Sequence, residues 1–92
     1  MSKLYDETTP CKRFYNVIAH LELRKENDIK SFENFIDIAQ EIMRAAPSLK
    51  LLIADVSSLV LLGKIEDALS RCQILIEREN KILKSLHQET IH

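Results

Sequence analysis

His20, His87 and His92, with Cys11 and Cys72, are the side chains most able to hold a metal or move a proton. They do not fall at any familiar ligand spacing, and the sequence holds no H-E-x-x-H, C-x-x-C or glycine-rich phosphate loop. No metal or other cofactor is expected. The carboxylates Glu22, Glu26, Glu33, Asp37 and Glu41 are spaced as the solvated faces of helices, where pairs at i, i+4 occur without catalysis. Asp55 differs because its neighbours are apolar. Placed in a core it would need a partner such as Lys50 or a backbone amide, so a solvent edge is the expected position. His20 lies on an apolar helical face and is expected to be a partly buried helix residue. A chain of 92 residues with these groups and no pocket-forming loops is not expected to be an enzyme.

The cysteines carry a second inference. Two of them cannot form a disulfide framework, and the N-terminus MSKLYDETTP lacks the apolar core of a signal peptide. Two free thiols in a cytoplasmic protein are expected. Cys72 falls on an apolar stripe, as a small buried hydrophobe would. Thirteen basic and fourteen acidic residues give a net charge of -1 with the signs mixed along the chain, so no nucleic-acid partner is expected. The longest apolar run is broken by Lys50, Asp55 and the Ser57-Ser58 pair, short of a bilayer span.

The elements that position these residues are helices. One Gly, two Pro and no Trp, with many Leu, Ile, Glu and Lys, describe a chain of high helix propensity and few turns. Thr9-Pro10 reads as a cap and first turn, predicting helix one over Pro10 to Lys25. After the polar break Glu26-Asn27-Asp28, the spacing of Phe32, Phe35, Ile36, Ala39, Ile42 and Met43 predicts helix two over Ile29 to Ala45. Pro47 ends it, Ser48 is placed to cap helix three over Ser48 to Leu62, and Gly63 can take the left-handed conformation that terminates helices. Ile65, Ala68, Leu69, Cys72, Leu75, Ile76, Ile82, Leu83 and Leu86 keep helical spacing to about Gln88, either as one helix, which is favoured, or with a break after Arg78. The fold class is all-α, with four or five helices as antiparallel pairs. A single helical domain of residues 1–92 follows, with a flexible terminus over 1–9, a first helix pair over 10–45 and a second over 48–90.

Leu49 to Leu62 (LKLLIADVSSLVLL) holds ten apolar side chains in fourteen residues, spread almost all the way round a helix. Such a helix must be covered on every side, or one side is left for a partner. The reading that leaves one side free assigns Leu52, Val56, Leu59 and Leu62 to the fold. It leaves Ile53, Ser57, Val60 and Leu61 facing outward, continued by Val17, His20 and Leu21 of helix one. The apolar side chains of such a strip would together expose on the order of a few hundred Å², a size that marks an interaction site. The other reading is a four-helix bundle in which all are covered. A further apolar seam, Tyr15, Ile82, Leu83 and Leu86, is a second possible interface.

Sliding the chain by thirty-three residues superposes Phe32 on Ile65, Phe35 on Ala68, Ala39 on Cys72 and Ile42 on Leu75. That period is near the tetratricopeptide repeat, although any two amphipathic helix pairs share some periodicity. IAQEI at 38–42, LLIADVSSL at 51–59 and GKIEDAL at 63–69 together resemble the tetratricopeptide-type chaperones of type III secretion needle subunits. The resemblance implies a short right-handed tetratricopeptide-like stack. It also implies a cytosolic chaperone that masks an amphipathic helix of the secreted needle subunit, helped by a small helical co-chaperone. Val17, His20, Leu21, Ile53, Ser57, Val60 and Leu61 would line its groove. The alternative function is a self-associating helical adaptor joined through Leu69, Cys72, Ile76, Leu83 and Leu86, a seam that Glu79 interrupts. A homodimer is possible but not favoured.

Overall fold

A computed structural model describes residues 4–23 and 29–90, with side chains over 4–21 and 32–86. Among the described residues it is all-helical, with four α-helices: α1 (Pro10–Leu23), α2 (Ile29–Ala45), α3 (Lys50–Leu61) and α4 (Ile65–Thr90). Arg24 and Lys25, assigned from sequence to helix one, lie outside the described residues. Of the segment read as a flexible terminus, residues 1–3 also lie outside. Tyr5 is half-buried against the core.

The helix ends follow from local chemistry, with two departures from the sequence reading. Pro10 opens α1, where its missing N–H costs nothing, and the Thr9 carbonyl accepts the first helical bond from Arg13 at 3.1 Å. The hydroxyl expected to cap it is not used, and Thr9 Oγ1 is buried without a partner. Instead Glu79, far along α4, accepts the Cys11 N–H through Oε2 at 3.2 Å. The second departure is at Ser48. Pro47–Leu49 form a short 3-10 turn, α3 starts one residue later, and its start has no side-chain cap. At the other end of α3, Gly63 takes φ +79. The Lys64 N–H reaches the Leu59 carbonyl at 2.9 Å and the Gly63 N–H reaches that of Val60 at 3.0 Å, the paired bonds of a Schellman turn. A Cβ at Gly63 would meet nothing within 4 Å, so the backbone angle alone selects glycine there.

The 26-residue α4 runs unbroken past Asn80 and serves as the spine. α1 and α3 both pack on it, α2 packs on α1, and α2 meets α3 mainly through the 3-10 turn between them. The fully buried side chains Cys11, Phe14, Ile18, Ile42, Ile53, Val56, Cys72 and Leu75 come from all four helices and form one core. Phe14 of α1 stacks on Phe35 of α2 at 5.0 Å, and Phe32 stacks on Phe35 at 6.0 Å, which joins the first two helices through their rings. Among the described residues no helix is long and apolar enough to cross a membrane.

The burial of α3 sets up a direct comparison of two neighbouring side chains. Ile53 is 1% exposed and Leu51 is 84% exposed. Ile53→Val should lower the unfolding free energy by about 0.5–1.5 kcal/mol through the void it leaves. The larger truncation Leu51→Ala should change it by less than about 0.5 kcal/mol. Urea denaturation followed by helical circular dichroism measures both, and the opposite order would mean that α3 is seated the other way round.

Candidate interaction face on the third helix

α3 presents two sides of unlike fate. Leu49, Ile53, Val56 and Val60 are buried, at the i, i+4, i+7, i+11 spacing of a single helical face. Opposite them Leu51, Ala54, Ser58, Leu61 and the following Leu62 are exposed, with Leu61 at 69% and Leu62 at 70%. Leu52, Ser57 and Leu59 lie half-buried between the two sides. The Ser58 hydroxyl donates to the Ala54 carbonyl at 2.9 Å, so the one polar side chain in the outer strip is already satisfied within the helix.

This partition corrects the sequence reading by roughly a quarter turn of helix. Ile53 and Val60, assigned to the outward stripe, are core residues that seat α3 on α4, and Leu62, assigned to the fold, faces out. Leu61 is exposed and Ser57 half-buried. On α1, Val17 and Leu21 are half-buried and packed against the core, while His20 is exposed rather than partly buried. The seven residues therefore do not form one groove. Asp55 marks one edge of the α3–α4 seam, where Arg71 donates to it at 2.9 Å. Its partner is thus a guanidinium from α4 and not Lys50. Both side chains are well exposed, so the pair sets orientation more than stability.

Two polar arrangements beneath α1 were not legible from spacing. Asn16 is buried, and its amide bonds both backbone groups of one residue: Oδ1 accepts the Tyr5 N–H at 2.9 Å and Nδ2 donates to the Tyr5 carbonyl at 2.8 Å. The Tyr5 ring meets Tyr15 edge-on at 4.8 Å. These contacts tie the segment before α1 to the outside of the bundle. The second arrangement joins the buried Cys11 and Cys72 to the half-buried Glu79. The Cys72 thiol donates to the Cys11 carbonyl at 3.9 Å, and Glu79 Oε1 is buried without a partner. Loss of hydration, and then the Glu79 carboxylate, push the Cys72 thiol up to about 12 and the Cys11 thiol further up. Both cysteines are free, and neither thiol forms a thiolate near neutral pH in the folded chain. Among the described residues no group of three or more His, Cys, Asp or Glu could hold a metal ion.

The fold and this face define a small helical protein whose distinctive surface is a strip of uncovered leucines and whose ionisable core groups are turned to structure. A family description, the flagellar protein FlbT, matches residues 3–83, and the chain belongs to the FlbT family. No curated protein and no solved structure matches the chain. Membership corrects the resemblance drawn from IAQEI, LLIADVSSL and GKIEDAL. The chain is a flagellar-family protein, not a tetratricopeptide-like chaperone of a type III secretion needle subunit, and the needle subunit and co-chaperone implied as partners go with that reading.

The buried thiols make stability depend on alkaline pH. Their folded pKa values lie above the ordinary thiol value of 9.0. Their contribution is therefore complete below pH 9 and is lost as the pH rises toward 12, because the unfolded chain releases protons that the folded chain retains. The urea midpoint should fall between pH 8 and pH 10.5, and Cys72→Ala should flatten that fall. An unchanged slope in the variant would remove Cys72 as its source.

Proposed function

We propose that the chain is a non-catalytic regulatory protein of the flagellar system. It acts in the cytoplasm on flagellin supply at the level of flagellin mRNA, through protein contacts made by the outer face of α3. The observation that carries the reading is the family match over residues 3–83, since the FlbT family is flagellar and associated with regulation of flagellin mRNA. The uncovered Leu51, Leu61 and Leu62 support action through a protein partner, because adjacent exposed leucines on one helix face favour an apolar surface over water.

The charge distribution supports an indirect effect on RNA. Binding by phosphate neutralisation requires clustered cations that are free to release counterions. Here the basic and acidic residues balance to -1, and Lys12, Arg13 and Arg71 are each engaged by a carboxylate, from Asp6, Glu41 and Asp55 respectively. No cofactor enters this mechanism.

Deleting the gene should change the steady-state level of flagellin mRNA without altering unrelated transcripts, as quantified by reverse-transcription PCR. A gene encoding Leu51→Glu should fail to restore it although the variant protein accumulates normally. Full restoration by that variant would remove the α3 face from the function, and an unchanged transcript in the deletion strain would overturn the regulatory role. Salt-dependent, tight binding of flagellin leader RNA by the purified chain alone would replace the indirect mechanism with a direct one.

A further inference from the structure

We infer that the outer face of α3 is occupied by a second copy of this chain, with the two α3 helices crossing antiparallel about a two-fold axis at the level of Val56. The inference rests on reading that face as an interaction surface and adds what covers it.

The first support is the arrangement of the strip. Leu51 and Leu61 lie five residues before and after position 56, and Ala54 and Ser58 lie two before and after it. A two-fold axis at that level sets Leu51 of one copy against Leu61 of the other, and Ala54 against Ser58. A face of this kind is complementary to itself, as an isologous interface requires. Its centre is small, and the Ser58 hydroxyl is already bonded to its own helix, so two helices can approach without leaving a buried polar group unpaired.

The second support is charge. Lys50 sits beside Leu51 at one end of the strip. Glu66 and Asp67, in the first turn of α4, follow Leu61 and Leu62 at the other, where Lys64 leaves one net negative charge. None of these four makes an ion pair among the described residues. Antiparallel pairing brings Lys50 of each copy to the acidic end of the other, which is also the carbonyl end of its α3. A parallel arrangement would set like ends together.

Sedimentation equilibrium of the purified chain should give a concentration-dependent mass rising toward twice 10.7 kDa. Leu51→Glu should hold the mass at the monomer value with helical circular dichroism retained, since that side chain contributes little to the core. An independent test of register uses two single-cysteine additions. An equimolar mixture of Ala54→Cys and Ser58→Cys chains should form a disulfide-linked dimer under mild oxidation faster than either variant alone. The native thiols stay silent because they are buried. A wild-type chain that remains monomeric up to its solubility limit would overturn the inference, as would a Leu51→Glu chain that still dimerises or a mixture with no advantage over its components. These readouts need no flagellar phenotype. A dimer that forms in solution while the transcript assay fails would leave this inference standing without the regulatory one.

Discussion

α1 and α3 both bury their apolar faces on one long helix, and that shared dependence on α4 governs the rest of the molecule. α4 offers small side chains to its neighbours at Ala68 and Cys72, both fully buried, and larger ones at the buried Leu75 and Ile76. α3 lies in that seam through Ile53, Val56 and Val60. Its position along α4 is set by the Schellman turn at Gly63, and its rotation is fixed at the edge by Asp55 and Arg71. A twelve-residue helix that is apolar on every side and seated on one neighbour must leave its far side uncovered by that neighbour. The exposure of Leu51, Leu61 and Leu62 is therefore a consequence of how α3 is held.

The helix ends were largely legible because proline and glycine act locally. Pro10, Pro47 and Gly63 each mark a boundary, and α2 spans the residues that its apolar spacing indicates. The rotation of α3 was not legible. α2 alternates apolar and polar residues, so Phe35, Ala39 and Ile42 identify their own buried side, but a helix with apolar residues on all sides gives no preferred direction. Glu79 escaped for a different reason. By spacing it is a charge interrupting an apolar seam. In the fold it satisfies an open N–H at the start of α1, sixty-eight positions away. Asn16 likewise reads as a polar helix residue, and its role appears only when Tyr5 lies across it.

The motifs that suggested a secretion chaperone are real structural signals attached to the wrong family. G-x-x-x-x-A-L places a glycine where α3 must reverse and a fully buried alanine, Ala68, in the first turn of α4. Any two antiparallel helices joined by a tight turn need that combination. The i, i+4 pairing of apolar residues in IAQEI is an equally general requirement of a helix that buries one face. These segments encode a helical hairpin. The packing of α1 against α4, which closes the bundle on itself, is not written in them.

Polar commitments are divided unevenly between the two sides of the molecule, and this bears on how the exposed face can be selective. Under α1, Asn16, Glu79 and the Cys72 thiol are spent on internal bonds that hold the Tyr5 segment and the start of the helix. On the outer side of α3 the leucines alone would attract any apolar surface, and an apolar strip discriminates poorly between partners. Discrimination has to come from its outline: the small Ala54 and Ser58 at the centre, and Lys50 opposed to Glu66 and Asp67 at the ends. A partner with bulk at the centre would be held away from the leucines. One with acidic groups at the Gly63 end would meet like charge and lose attraction at the same point. The strip supplies the driving force for association, and its centre and charged ends decide which surface can use it.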